Sequence, residues 1–301
     1  MSMVSICIPA YQQAGALERY LCSVFSQTFM DIEVVVTDDT QDESVRRVAE
    51  KYAGTGKLLY IHNDILKGAP GNWNEAMRNA SGKYLVLMHQ DDWFYTHESL
   101  ELLVQSIVEN AADLAFAQSY GINPEMVIIS KNNPDRTKIR AMGKDIRSLY
   151  YANWIGAPSA VLFKNTGLTF DTRLKWLVDV DFYIRYLQAG RLCYNDCAIV
   201  GIGISASQIT NSCVGNPGVE IGENILVYKK LKSSWKHLYL DFQHFYRLFC
   251  RFQPRVRDLR EYSPPLLVQL ACFVAESAVP TKSALRKLFR RLKSPKRKQL
   301  D

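Results

Sequence analysis

The first 110 residues alternate short apolar runs with segments in which apolar side chains recur every three or four positions. Runs rich in β-branched residues predict buried strands, at residues 4–9, 32–37, 57–62 and 84–88. The intervening spacing predicts helices at residues 16–26, 42–52 (with Asp42 as N-cap), 71–80 and 99–110. Strands that alternate with helices indicate an α/β fold, built on a mixed, mainly parallel sheet with helices on both faces.

Beyond residue 110 the pattern is less regular. Strands are predicted at 114–120, 159–163 and 192–200, and a helix at 176–189. The polar segment 124–144 predicts a loop or a lid. A glycine-rich stretch at 201–222 precedes a helical C-terminal third that Pro254, Pro264, Pro265 and Pro280 divide. We therefore expect an α/β domain over residues 1–215 and a helical C-terminal extension over 216–301.

Composition narrows the class of protein. The chain has 301 residues, of which 48% are hydrophobic and 22% charged, as in ordinary globular proteins. The N-terminus lacks a signal-peptide pattern, and no apolar stretch reaches the roughly 18–20 residues of a spanning helix. We expect a cytoplasmic protein. The seven cysteines are scattered, which favours reduced core residues over disulfides or a zinc site.

The net charge of +7 lies in the C-terminal tail. Residues 282–298 hold nine Lys or Arg and no acid, and the remainder has 28 basic against 30 acidic residues. Leu285, Leu288, Phe289 and Leu292 have helical spacing. Such a basic amphipathic helix can lie on an anionic membrane at the inner face of the cell membrane, dock a partner, or remain solvated. Nucleic-acid binding is not expected, because aromatic residues do not interleave the charges.

Two pairs of carboxylates follow predicted parallel strands, Asp38 with Asp39 and Asp91 with Asp92. Sheets of this kind bind ligands beyond the carboxyl ends of their strands. Adjacent carboxylates repel each other unless a positive charge lies nearby, and a divalent cation with a diphosphate would supply it. The alternative is a solvated turn, in which Asp is common.

Five motifs in order resemble the family-2 glycosyltransferases, inverting nucleotide-sugar enzymes of GT-A fold, over residues 3–212. They are the segments 4–11, 23–39, 63–84, 90–92 and 176–181. Two departures stand out: Gln90 replaces the first acid of the Asp-x-Asp motif, and Val178 stands where Glu is common. A His that many relatives place near residues 207–211 is also missing.

The resemblance implies roles for individual residues. It assigns donor binding to Pro9, Ala10, Tyr11, Asp38, Asn74, Gln90 and Asp91. Asp38 would accept a hydrogen bond from a uracil, whereas Asn74 would contact the nucleotide or orient its loop. Asp92 would hold the metal, Mn²⁺ or Mg²⁺.

On the acceptor side, the resemblance makes Asp179 the general base, with Asp181 as the competing candidate. An inverting transferase needs one carboxylate to take the proton of the acceptor hydroxyl. Trp176 and Pro158 are expected near the acceptor, although Pro158 could equally be a turn residue.

The resemblance implies a metal-dependent inverting transferase that moves a sugar from a nucleoside diphosphate, UDP by preference, to a saccharide or lipid-linked saccharide. Two alternatives remain open. A nucleotidyltransferase would carry a glycine-rich, basic phosphate loop after strand one, where this chain has residues 11–15. A non-catalytic nucleotide-sugar-binding protein would fit the incomplete motifs.

Overall fold

The protein is described from a computed structural model over residues 2–204, 208–231 and 234–277. The chain divides into two compact units, the first ending at Val214 and the second beginning at Gly215. The described part of the first unit is built on one nine-stranded sheet. Its strands are β1 Val4–Ala10, β2 Ile32–Asp38, β3 Leu58–His62, β4 Tyr84–Leu87, β5 Trp93–Phe94, β6 Leu114–Ile122, β7 Ile128–Asn132, β8 Val161–Lys164 and β9 Leu192–Gly203.

The predicted parallel half is confirmed, with strand order β3-β2-β1-β4. β1 pairs in parallel with β2 and β4, and β2 pairs in parallel with β3. All seven residues of β1 are buried, as expected for a central strand covered on both faces. Its register places Ala10 opposite Asp38, so the two strands end together.

The second half of the sheet is mixed. β8 runs antiparallel to β4, β6 runs antiparallel to β8, and β9 runs parallel to β6. The short strand β5 pairs antiparallel with β9, and β7 pairs antiparallel with β6. β9 therefore reaches the segment that follows β4, although more than a hundred residues separate them in sequence.

Helices cover the sheet of the first unit. They are α1 Ala14–Phe25, α2 Ser44–Glu50, α3 Ala69–Arg78, α4 Ser99–Glu109, α5 Arg136–Lys144, α6 Val178–Tyr186 and α7 Ile209–Cys213. The apolar stripe predicted for the first helix is buried, at Leu17, Tyr20, Leu21 and Val24. Asp42 is not an N-cap: α2 begins at Ser44 after Glu43, and the Asp42 carboxylate instead accepts the backbone N–H of Ser44 at 2.8 Å.

The prediction of a polar loop or lid at residues 124–144 is wrong. The segment forms strand β7 and helix α5, whose N-cap Asp135 accepts the backbone N–H of Lys138 at 2.9 Å. β7 lies at an edge of the sheet with four of its five residues exposed, so it lacks the alternation by which strands are recognised.

The second unit contains helices α8 Pro217–Lys230 and α9 Leu238–Phe252, and residues 266–277 are also helical. Tyr228 and Phe245 meet edge to face inside it, and Arg251 pairs with Glu220 at 2.8 Å. The predicted basic amphipathic segment 282–298 lies outside the described residues. Among the residues that are described, no helix is long and apolar enough to cross a membrane.

Candidate functional site at the carboxyl edge of the sheet

The predicted donor residues meet where β1, β2 and β4 end. Pro9 and Ala10 are buried at the end of β1, whereas Tyr11 projects with 49% of its surface exposed. The Gln90 side chain holds this turn, because its amide oxygen accepts the Tyr11 N–H at 3.0 Å and its amide nitrogen donates to the Tyr11 carbonyl at 2.7 Å. The residue that departs from the acidic motif thus joins the ends of two strands.

Asp38 is fully buried at the end of β2. One carboxylate oxygen accepts the Thr40 N–H at 2.8 Å, and the other accepts the Tyr60 hydroxyl at 2.8 Å. Burial and that hydrogen bond to Asp38 both raise the pKa of Tyr60, which keeps its proton. The uracil contact stays a prediction, and in this conformation Asp38 orders the turn and the neighbouring tyrosine.

Asp39 and Asn72 organise the loops behind that turn. Asp39 accepts hydrogen bonds from the Asn63 amide at 2.9 Å and from the Gly68 N–H at 2.9 Å. The Asn72 amide donates to the Ala10 carbonyl at 3.0 Å and accepts from Asn63 at 2.8 Å. This buried network fixes the start of α3 against the strand ends, so the edge is preorganised.

Asn74 lies on α3 and is also buried. Its amide nitrogen donates to the Phe170 carbonyl at 2.9 Å, and its oxygen accepts the Phe170 N–H at 2.8 Å. Of its two predicted roles, this geometry corresponds to orienting a loop.

Asp92 is the most deeply placed carboxylate of the acidic motif, with 2% of its surface exposed. One oxygen accepts the Ser159 hydroxyl, and the other accepts the Gly203 N–H at 3.1 Å. Burial, and after it the neighbouring Asp91, raise the pKa of Asp92, and these two hydrogen bonds offset only part of that rise. A cation bound beside Asp92 would favour its ionised form and lower this raised pKa.

His89 adds a second polar group beside Asp92. Its Nδ1 lies 3.8 Å from Asp92 Oδ2, and its ring packs on Trp73 with centroids 4.8 Å apart. Its Nε2 is buried and has no hydrogen-bond partner among the described residues. Burial lowers the pKa of His89, so the imidazole is neutral at physiological pH.

These donors fit a divalent cation that is shared with a bound diphosphate. No group of three His, Cys, Asp or Glu converges anywhere in residues 2–204, 208–231 and 234–277. Those residues therefore form no complete set of protein ligands, but Mg²⁺-type sites need only one or two carboxylates when phosphate oxygens and water complete the shell. Asp92, with the half-buried Asp91 beside it, meets that requirement.

Glycines at the end of β9 let the acidic motif approach closely. A Cβ on Gly203 would overlap the Asp91 carbonyl oxygen, and one on Gly201 would lie 2.5 Å from the Trp93 ring. Only glycine permits this contact without moving the backbone. Gly203 then donates its N–H to Asp92.

The predicted base, Asp179, lies in the first turn of α6 and is half-buried. Its Oδ1 accepts the Val180 N–H at 2.8 Å, and its Oδ2 accepts the Asn153 amide at 2.8 Å. The same Asn153 accepts the Gly156 N–H at 3.0 Å. Asn153 therefore connects Asp179 to the loop that leads, three residues after Gly156, to Ser159 and Asp92.

The other acceptor-side candidates are placed differently. Asp181 is 2% exposed and pairs with Arg185 at 2.8 Å, which makes it a structural ion pair of α6. Trp176 precedes that helix and is half-buried. Pro158 is buried and opens the short 3-10 helix Pro158–Ala160, so it positions Ser159.

The sequence did not predict the roles of several residues of the site, namely His89, Asn153, Ser159 and Gly203. Ser159 and Gly203 lie 67 and 111 residues from Asp92, and only the fold brings them to it. The paired glycines 201 and 203 were the one available signal, since a glycine within a strand often marks a close backbone approach.

Comparison with known proteins bears on the family and the fold of the chain. The family model described as Glycosyl transferase family 2 matches residues 5–168. An uncharacterized protein of Mycobacterium tuberculosis is 27% identical over 206 residues, which are 64% of this chain and 64% of that protein. An Escherichia coli UDP-Glc:alpha-D-GlcNAc-diphosphoundecaprenol beta-1,3-glucosyltransferase is 31% identical over 96 residues, which are 32% of this chain and 38% of that enzyme. The chain thus spans less than two thirds of the length of these relatives.

Two solved structures share the fold. S. aureus TarS in complex with UDP-GlcNAc superposes with a TM-score of 0.62 at 20% identity, covering 91% of this chain and 79% of that one. A mannosyltransferase of Pyrobaculum calidifontis in complex with GDP-Man and Mn²⁺ has a TM-score of 0.59 at 14% identity, covering 94% and 80%. At these identities the likeness establishes the GT-A fold.

Proposed function

This chain belongs to glycosyltransferase family 2, and on that premise we propose that it transfers a sugar from UDP to a hydroxyl of a lipid-linked saccharide, with inversion at the anomeric carbon. The observation that best supports the proposal is the arrangement around Asp92. A buried carboxylate with a raised pKa lies at the carboxyl edge of a parallel sheet, connected through one loop to a second carboxylate, Asp179.

Donor binding is assigned to the edge formed by β1, β2 and β4. The exposed ring of Tyr11 would contact the nucleotide base, and the half-buried Asp91 would contact the ribose. UDP is favoured because the E. coli relative is a UDP-Glc enzyme and the S. aureus neighbour binds UDP-GlcNAc. A lipid-linked acceptor is favoured because that relative acts on a diphosphoundecaprenol sugar.

A divalent cation, Mn²⁺ or Mg²⁺, would be held by Asp92 together with the diphosphate oxygens. When bound, it would neutralise the charge that develops on the departing diphosphate. Asp92 is preformed for this task, because Ser159 and Gly203 fix both of its oxygens by hydrogen bonds.

Asp179 is assigned as the general base. A base must lie within hydrogen-bond reach of the proton that it removes and must be ionised at the working pH. The Asn153 amide and the Val180 N–H both donate to Asp179 and hold its carboxylate in place at the start of α6. Catalysis is assigned to residues 1–215, and the part from 216 to 301 to an extension.

The test is donor turnover by the full chain. With Mn²⁺ and a panel of UDP-sugars, we expect release of UDP that depends on acceptor and on metal. Asp179→Asn should lower kcat by about 10²–10⁴-fold with donor affinity unchanged. Asn153→Ala should lower kcat less, because it removes a positioning residue.

Asp171→Asn is the matched control, because the Asp171 carboxylate pairs with Arg173 at 2.6 Å and has no proposed role in catalysis. We expect it to keep the wild-type kcat. Wild-type turnover by Asp179→Asn would reject the base assignment. Donor binding without any turnover would favour a non-catalytic nucleotide-sugar-binding protein.

A further inference from the structure

The turn between β6 and β7 exposes an uninterrupted apolar segment. Four consecutive side chains lie in solvent, with exposed fractions of 68% for Met126, 55% for Val127, 37% for Ile128 and 55% for Ile129. Single exposed apolar residues are common, but contiguous apolar patches mark interaction sites. A strand that covered a core would bury every second residue, and β7 does not.

The turn is held in this shape by Asn123. Its side-chain oxygen accepts the Val127 N–H at 2.8 Å, and its backbone carbonyl accepts the Met126 N–H at 2.9 Å. Met126 adopts a left-handed conformation with φ 62°, which is uncommon for a non-glycine residue. The tip is therefore built to project these side chains.

Basic residues follow the tip closely. Arg136, Arg140 and Lys144 recur every fourth position of α5, so they share one face of that helix, and all three are exposed. Within the described ranges, none of the three has an acidic partner. Arg136 is seven residues beyond Ile129, which places it within roughly 25 Å of the tip even for an extended chain.

We infer that the hairpin tip 126–129 and helix α5 form a docking surface for an anionic lipid bilayer. An apolar projection that is followed within one short segment by exposed cations matches acyl chains that lie beneath anionic headgroups. Lys131 and Tyr120 support this choice, because the Lys131 ammonium lies 4.9 Å from the Tyr120 ring centroid at the base of the hairpin. Tyr and Lys are the residues that anchor at membrane interfaces.

The surface is connected to the acceptor side of the site. Asn132, the last residue of β7, donates its amide to the Ile155 carbonyl at 3.0 Å. Gly156 follows, with φ 93° and no room for a Cβ because the Asn132 amide would lie 2.6 Å away. Asn153 then links Gly156 to Asp179. Docking would thus hold the loop beside Asp179 at the bilayer, where a lipid-linked acceptor resides; this consequence rests on the proposed function.

The test is flotation of the full chain with vesicles of phosphatidylcholine alone or mixed with phosphatidylglycerol. We expect binding to the anionic vesicles that salt weakens. The double variant Val127→Glu and Ile129→Glu should lose at least tenfold in partition. Replacing Arg136, Arg140 and Lys144 by Gln should cost about fivefold per cation.

The matched control is the double variant Leu59→Glu and Val108→Glu. These two residues are exposed to a similar extent, 48% and 50%, on β3 and α4. This control variant adds the same two negative charges to the same unit as the tip variant, and it should bind vesicles like the wild type. A thermal-shift measurement with UDP and Mn²⁺ shows whether each variant folds, and it reports failure of the proposed function separately from failure of docking.

The inference is overturned if the wild type and the tip variant bind vesicles equally, which would point to residues 282–298 instead. It is also overturned if neither of them binds. A wild-type dimer in light scattering that the tip variant dissociates, without vesicle binding, would also overturn it, because the surface would then contact a second copy of the chain.

Discussion

Ser159→Ala tests whether the fold stabilises an ionised Asp92. The Ser159 side chain is fully buried, donates its hydroxyl hydrogen to Asp92 and accepts the backbone N–H of His89 at 3.0 Å. The substitution removes both contacts, so that one oxygen of Asp92 and the backbone N–H of His89 lose these partners, with little change in side-chain volume.

The expected cost follows from these two groups. A hydrogen bond to a charged group contributes about 1.5–3 kcal/mol, and an unsatisfied buried N–H costs about 1–3 kcal/mol. Partial relaxation gives a total of about 2–5 kcal/mol, a large share of the roughly 5–15 kcal/mol by which domains are stable.

The effect depends on pH through Asp92. Because the folded pKa of Asp92 is raised, the folded state binds the proton more tightly, and stability falls as pH rises from the unfolded pKa towards the folded one. Ser159 reduces that fall by stabilising the carboxylate. Ser159→Ala should therefore destabilise the protein more at neutral than at acidic pH.

Urea unfolding at both pH values measures this difference. Ser23→Ala serves as the comparison. The Ser23 hydroxyl donates to the uncharged backbone carbonyl of Tyr20, so its removal should destabilise the protein equally at both pH values. A neutral-pH midpoint for Ser159→Ala that matches the wild type, or an equal shift at both pH values, would refute the reasoning.

Two further predictions concern glycine and acid stability. Gly203→Ala, whose Cβ would overlap the Asp91 carbonyl, should cost about 1–3 kcal/mol and slow UDP release, as unfolding and turnover assays would register. Gly15→Ala, in α1 with no atom within 4 Å of the added Cβ, should stabilise by about 0.5–1 kcal/mol; similar effects of the two changes would contradict the role of Gly203. For Glu33, burial raises the pKa, but the hydrogen bonds that it accepts outweigh burial and lower it. Glu33 therefore stabilises the folded state above its unfolded pKa, and this stabilisation is lost as pH falls through its folded pKa. Glu33→Gln should reduce the fall of Tm with decreasing pH. A Tm that falls with pH as steeply as in the wild type would contradict this prediction.

The parallel half of the fold was predictable because its strands are buried on both faces and its helices have one apolar face. β1 is one continuous buried run, and α1 buries a single stripe of apolar residues at helical spacing. β7 could not be predicted in this way, because neither of its faces is buried against a core. For this reason the sequence pattern wrongly predicted a loop at residues 124–144.

The candidate site was predictable where chemistry and strand ends coincide in sequence. Asp38 ends β2, and Asp91 and Asp92 follow the end of β4 in the same loop, so the strand pattern alone places them at one edge. Ser159 lies in the 3-10 helix that leads into β8, and Gly203 is the last residue of β9. Their approach to Asp92 depends on antiparallel and crossover pairings that no local spacing encodes. The exposure of Asp38 and Asn74 was likewise undetermined, since it depends on tertiary partners.

Gln90 has a consequence for what the acidic motif can become in this chain. Its amide lies against Tyr11 as another peptide group would, donating on one side and accepting on the other. A carboxylate there could accept the Tyr11 N–H, but its second oxygen would face the Tyr11 carbonyl and the two would repel each other. Restoring the missing acid as Asp would shorten the side chain by one carbon and remove the donor to the Tyr11 carbonyl, so this contact between the ends of β1 and β4 would be lost. The glutamine thus holds two strand ends of this sheet together, in exchange for one carboxylate fewer at its edge.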